Sequence, residues 1–172
     1  KMLHRKTKQR VQFVCNNIER ALNSEEKNLG IRLDPEQRNA VLTALQSPIS
    51  VITGGPGTGK TSIQKAILDI YRSQCPGNQV VCCAPTGRAA RRMEQSTGFP
   101  ASTVHKALGL FAGEDGMFGE PEPLEADLVL VDEVSMLDIY LAKHILQGIP
   151  NRCQVVFIGD SDQLPSVGPG AV

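Results

Sequence analysis

The sequence predicts an α/β fold: a mainly parallel sheet flanked by helices on both faces. Three observations predict it. Four short apolar runs, ISVIT from Ile49, QVVCCA from Gln79, DLVLVD from Asp127 and QVVFIGD from Gln154, are rich in β-branched residues. Their near-continuous hydrophobicity suits strands buried on two sides. Between them lie stretches of helical character, KTSIQKAILDIYRS, GRAARRMEQS, TVHKALG and SMLDIYLAKHILQG, and this alternation is that of a parallel sheet. A glycine-rich turn joins the first strand to the first of these helices.

Taken in order, the chain opens with Val11, Val14, Cys15, Ile18 and Leu22 at helical spacing, which predicts an amphipathic helix over about residues 7–24. The basic residues before it, Arg5, Lys6, Lys8 and Arg10, read as a solvated end, with a DNA-facing arm as the alternative. SEEKNLG reads as a loop. LDPEQRNAVLTALQSP is a punctuated helix, with Asp34 at the N-cap, Pro35 in the first turn and Ser47-Pro48 as the stop. The Gly-, Pro- and acid-rich segment GEDGMFGEPEPLEAD predicts an exposed loop. The organisation expected is an N-terminal helical segment over 1–30 and one main lobe over 31–172.

Bulk properties bound the rest. The 172 residues suffice for one sizeable core. Eighteen basic and 18 acidic side chains leave a formal net charge of +0, so nucleic acid would have to be met by a local patch rather than an overall field. No apolar run approaches the roughly 20 residues that span a bilayer, and no secretory signal is visible. The five cysteines form no CxxC pair. Cys82 and Cys83 are neighbours on a strand, so they point to opposite faces and cannot jointly grip a metal. Buried thiols in a reducing compartment, the cytoplasm, are the expectation. The opening KMLHRKTKQR and the closing GPGAV both read as interior to something longer.

The turn after ISVIT carries chemistry. Residues 54–61 read GGPGTGKT, a full match to G-x-x-x-x-G-K-[ST] with a strand before it and a helix after it. Glycines let successive backbone N–H groups point inward at a phosphate, and the helix N-terminus adds its positive dipole end. Nucleotide is expected against Gly55, Pro56, Gly57, Thr58, Gly59, Lys60, Thr61 and Ser62. Lys60 would reach the β and γ phosphates of ATP, and the Thr61 hydroxyl would ligate Mg²⁺.

DLVLVDEVSM ends a buried strand on Asp132 and Glu133. Ligands of open parallel sheets sit at strand carboxyl ends. There Asp132 can hold the metal, while Glu133 can orient and deprotonate an attacking water. The plainer alternative is an acidic helix start favoured by the dipole. The N/T-K-x-D guanine signature of GTPases is absent, and a nucleotide kinase rarely needs a base glutamate beside its metal aspartate. Hydrolysis by water, hence a motor or a switch, is favoured.

Three further stretches narrow the reading: LDPEQRNAV before the cradle, APTGRAARRM after the second strand and GDSDQLPSVGPG after the last. With GGPGTGKT and VDEVSM, the set resembles superfamily 1 DNA helicases. It is most similar to the RecD-like branch, which includes the alpha subunit of exodeoxyribonuclease V and related single-chain helicases. The resemblance covers about residues 31–172 as five ordered motifs, a far more specific signal than the cradle alone.

It implies a P-loop NTPase lobe of RecA-like fold, ATP and Mg²⁺ as cofactors, and 5′–3′ translocation on single-stranded DNA. It implies that Gln37 reads the adenine edge, although Asp34 and Gln37 also fit a capping box. Gln163 would sense the γ phosphate, and the catalytic set becomes Lys60, Asp132, Glu133 and Gln163. Pro85, Thr86, Gly87, Arg88, Thr103, His105 and Lys106 would form the DNA wall. The residues themselves support part of that wall, since Thr86-Gly87 begins a helix and its N–H groups and hydroxyl suit a DNA phosphate. Arg88, Arg91 and Arg92 then share a helix face, either as DNA contacts or as an ordinary solvated basic face. Two tyrosines and no tryptophan limit base stacking.

The family also implies a second RecA-like lobe whose arginines touch the γ phosphate. A finger of that kind is worth about 10³–10⁵ in rate, so this lobe alone is expected to turn over very slowly. Three rival readings are a subunit of a recombination nuclease, a non-hydrolysing nucleotide-dependent scaffold and a clamp-loader-like ATPase. The last would predict neither GDSDQLPSVGPG nor PTGRAA.

Overall fold

Alternate residues of the central strands go to opposite faces of a single sheet, and that alternation builds two cores. The computed structural model describes residues 17–111 and 119–160. Five strands, β1 (Ile49–Thr53), β2 (Val80–Ala84), β3 (Ala101–Thr103), β4 (Leu128–Val131) and β5 (Gln154–Gly159), lie in the order β1-β5-β4-β2-β3. Every neighbouring pair is parallel. The helices are α1 (Ile18–Leu29), α2 (Pro35–Gln46), α3 (Lys60–Gln74), α4 (Gly87–Thr97), α5 (Val104–Ala107) and α6 (Ile139–Gly148). None of them is long and apolar enough to cross a membrane.

On one face Cys82, Leu128, Leu130, Val156 and Ile158 pack with apolar residues of α1 to α4, among them Leu22, Val41, Ile67 and Met93. On the other, Cys83, Val129, Val131 and Val155 pack with Val104, Leu124, Leu141 and Ile145. The adjacent cysteines of β2 thus divide between the two cores, as their spacing predicts. Burial pushes both thiols up to about 12, which makes them inert packing groups. Leu130 sits wholly buried on β4, a strand with neighbours on both sides. Leu130→Ala should cost about 2–5 kcal/mol, read as a lower denaturation midpoint with an unchanged slope.

The structure differs from expectation in four places. The helix expected to end near residue 24 continues through SEEKNLG to Leu29, where Gly30 closes it with φ 64°. Tertiary contacts hold that extra turn: the Glu26 carboxylate accepts the Leu33 N–H at 2.8 Å and pairs with Arg38. Burial works to raise the Glu26 pKa, but those two partners outweigh it and leave the group below its usual value. Secondly, the stretch from Ser135 is helical only from Ile139. Its first residues form a 3₁₀ turn, Val134–Met136, and Asp138 caps α6 by accepting the Leu141 N–H at 2.7 Å. Thirdly, TVHKALG shortens to one turn of helix, and the three-residue β3 before it was not foreseen. Finally, the acidic segment is not wholly exposed. Leu124 is buried in the second core, and its N–H donates to the Gly148 carbonyl at 2.8 Å. Residues 7–16 of the expected first helix, the basic residues before them, residues 112–118 and everything after Asp160 lie outside the described residues.

All five strands point the same way, so their carboxyl ends form one rim. Along it lie, in spatial order, the glycine-rich turn after β1, Asp160 after β5, Asp132 after β4, Pro85 after β2 and Thr103 at the end of β3. Residues more than a hundred positions apart in the chain become neighbours there.

Candidate nucleotide site

The turn from Gly54 to Gly59 delivers α3 to the rim, and among the described residues no side chain caps its first turn. Gly59 serves as N-cap at φ 77°, a conformation that strains any residue with a Cβ, and a Cβ there would overlap the Gln37 amide nitrogen. An uncapped helix start of four turns offers N–H groups and a positive dipole end to an anion. Lys60, the first residue of α3, folds back over this turn. Its Nζ donates to the Gly54 carbonyl and, at 2.9 Å, to that of Gly55, and lies 3.4 Å from Asp160 Oδ2. The Thr58 hydroxyl donates to the Gly55 carbonyl at 2.8 Å. The cradle is therefore closed on itself, and a triphosphate would have to draw Lys60 off two carbonyls.

Asp132 follows β4, 8% exposed, and its Oδ1 accepts the Glu133 N–H at 2.9 Å. Glu133 itself adopts the left-handed conformation, φ 53° and ψ 42°, at a cost of order 1–3 kcal/mol for a residue with a side chain. That backbone turn sends its carboxylate towards α4, where it pairs with Arg92. Lys60, Thr61, Asp132, Glu133 and Asp160 line one open cleft, together with Gln64, Arg92, Met93 and Ser96. Its oxygen donors fit a magnesium ion: the exposed Thr61 and the Asp132 carboxylate could serve as the one or two protein ligands Mg²⁺ takes when phosphate and water complete its shell.

Gln37 satisfies the structural half of its expectation. Asp34 and Gln37 form a complete capping box, with N–H to carboxylate and N–H to amide distances of 2.9 and 3.0 Å. The amide nitrogen goes on to donate to the Thr58 carbonyl at 3.0 Å, tying α2 to the crest of the cradle. Sequence reasoning gave no role to Asp160, though it ends a greasy strand much as Asp132 does and is 5% exposed beside Lys60. It also missed that Arg92 faces Glu133 and that Gln64, buried on α3, lines the cleft.

Of the residues expected to form a DNA wall, the structure brings some together. β2 and β3 align Ala84 with Thr103, and a Cβ on Gly87 would lie 4.0 Å from the Thr103 methyl. Pro85, Thr86, Gly87 and Thr103 thus sit side by side, and Arg88, Arg91 and Lys106 are exposed around them. Thr86 and Thr103 each spend an oxygen on capping, accepting the Ala89 and Lys106 N–H at 3.2 Å; each hydroxyl proton is left for another acceptor. His105 is half-buried on α5. Gln163 lies outside the described residues.

This geometry meets known proteins at one point. A model of the AAA domain family matches residues 37–169, from the capping-box glutamine through both acidic strand ends. The chain belongs to the AAA domain family. Within it, this AAA domain is similar to the ATP-dependent RecD2 DNA helicase of Deinococcus radiodurans, 43% identical over 136 residues, which cover 78% of this chain and 19% of that protein. It is also similar to the RecBCD enzyme subunit RecD of Haemophilus influenzae, 36% identical over 160 residues, covering 79% and 25%. The RecD-like resemblance carried by the five motifs is thus shown. Among solved structures, Pif1 helicase from Candida albicans superposes with a TM-score of 0.60 at 25% identity, over 80% of this chain and 34% of that one. The chain spans about a fifth to a quarter of the length of these curated relatives.

Proposed function

We propose that this chain is the first motor lobe of an ATP-dependent, RecD-like DNA helicase, coupling ATP hydrolysis to 5′–3′ translocation on single-stranded DNA in the cytoplasm. One observation carries the reading. The phosphate-cradle residues Lys60 and Thr61 and the strand-end acids Asp132 and Glu133 line the same cleft, on the rim that also bears Thr86 and Thr103.

The chemistry follows from these positions. Triphosphate binding turns Lys60 from the Gly54 and Gly55 carbonyls to the β and γ phosphates, while the first-turn N–H groups of α3 meet the phosphate oxygens. Thr61 and Asp132 would hold a magnesium ion, which would supply charge neutralisation on the phosphates. Glu133 orients a water for in-line attack and accepts its proton. Gln37 moves from the Thr58 carbonyl to the adenine edge. Gln163 couples the γ phosphate to the DNA side, and arginines of a second RecA-like lobe complete the site. Thr86, Gly87, Arg88, Thr103, His105 and Lys106, beside Pro85, hold the DNA backbone. Such contacts fix position without reading sequence.

The likeness to a RecBCD subunit favours a second reading, in which the motor works inside a recombination nuclease; co-purification of the native protein with nuclease subunits distinguishes it from a free-standing helicase. Steady-state ATP turnover of the full-length protein, with and without single-stranded DNA, tests the proposal itself. Stimulation by DNA is the expected result. Tight nucleotide binding with no turnover in either condition would mark a scaffold.

A further inference from the structure

We propose that Arg92 is a positioning residue that restrains Glu133 until DNA engages the N-terminus of α4, so that hydrolysis without DNA is suppressed. The proposal rests on the reading of Glu133 as the water-activating base and adds to it how that base is controlled.

Three observations support it. The Arg92 guanidinium pairs with Glu133 Oε1 across 41 positions of sequence. A carboxylate oxygen engaged by a guanidinium cannot also accept from a water in that direction. Glu133 is confined by its surroundings: its side chain is 14% exposed, and its left-handed backbone and the Asp132 contact fix where it emerges. Arg92, by contrast, is 67% exposed and bound at its tip, so it can leave without disturbing the core.

The third observation is connection. Arg92 lies on the helix that Thr86 caps and Gly87 begins, about 9 Å along its axis from the cap. The same α4 therefore carries candidate DNA-phosphate donors at one end and the restraint on the candidate base further along. A small shift of a rigid helix towards a DNA phosphate would withdraw Arg92 from Glu133. A half-exposed ion pair of this kind is weak, which suits a restraint that must be reversible. Among the described residues Arg92, rather than its exposed neighbours Arg88 and Arg91, pairs with Glu133, so the effect should belong to Arg92.

The test is ATP turnover by the full-length protein with and without saturating oligothymidylate. Arg92→Ala and Arg92→Gln should raise DNA-free turnover about two- to fivefold, leave DNA-saturated kcat unchanged and reduce the stimulation ratio by the same factor. Arg92→Lys, which keeps the charge, should fall back towards wild type. The gain should vanish when Glu133→Gln is added. Unchanged or lower DNA-free turnover in both variants overturns the proposal. So does a gain that survives Glu133→Gln, or a loss of DNA affinity with a shallower salt dependence, which would make Arg92 a phosphate contact. Failure of the underlying reading has a separate signature: Glu133→Gln alone would keep its DNA-stimulated turnover.

Discussion

Lys60→Ala should abolish nucleotide-dependent activity in the full-length protein by removing ATP binding. The side chain is the single cation at the head of α3, within reach of two cradle carbonyls and Asp160. Loss of a desolvated, hydrogen-bonded charge from a phosphate site costs roughly 2–5 kcal/mol, a fall in affinity of about 30-fold to several thousand-fold. The fold should persist, because Lys60 contributes nothing to either apolar core. Titration of a fluorescent ATP analogue reads the affinity, and far-ultraviolet circular dichroism checks the fold. An affinity within threefold of wild type would remove Lys60 from the site.

Glu133→Gln should behave in the opposite way, binding Mg·ATP at least as tightly while DNA-stimulated turnover falls by about 10²–10⁴. The amide keeps the size and one carbonyl acceptor of the carboxylate but cannot take a proton from water. Removing a negative charge next to the phosphates also relieves repulsion, so affinity should hold or rise. Asp132 gives a useful contrast. It lies deeper, and its variants should lose magnesium-dependent binding as well as turnover. Near-normal turnover in Glu133→Gln would mean that the base is elsewhere.

Much of this site was legible because its chemistry is local in sequence. GGPGTGKT is a backbone conformation written in glycines, and Asp132-Glu133 is an acid pair at the end of a run too apolar to be anything but a buried strand. The four long strands were legible from their runs of apolar, β-branched residues, although only β4 is buried throughout and the edge strand β1 leaves Val51 and Thr53 exposed. What escaped has no local signature. β3 is three residues with no apolar period and exists because β2 offers it a partner edge. The last turn of α1 is held by Glu26 acting on Leu33 and Arg38, so the polar SEEKN looked like a loop. Lys60 and Asp160 are 100 positions apart, Arg92 and Glu133 41. Such pairs depend on strand order, here β1-β5-β4-β2-β3, and no periodicity or composition specifies that order. For Gln37 the two readings offered by sequence were a cap and a nucleotide contact; the structure realises the cap and adds a tie to the Thr58 carbonyl.

The central claim is that one triphosphate is gripped from the β1 side by Lys60 and Thr61 and attacked from the β4 side. The most direct measurement is a crystal structure of the full-length protein with Mg·ADP and aluminium fluoride. The account predicts the metal between Thr61 and Asp132, the fluoride within hydrogen-bonding distance of Lys60, and a water held by Glu133 in line with the leaving oxygen. Nucleotide bound with Asp132 and Glu133 turned away from its phosphates would contradict it.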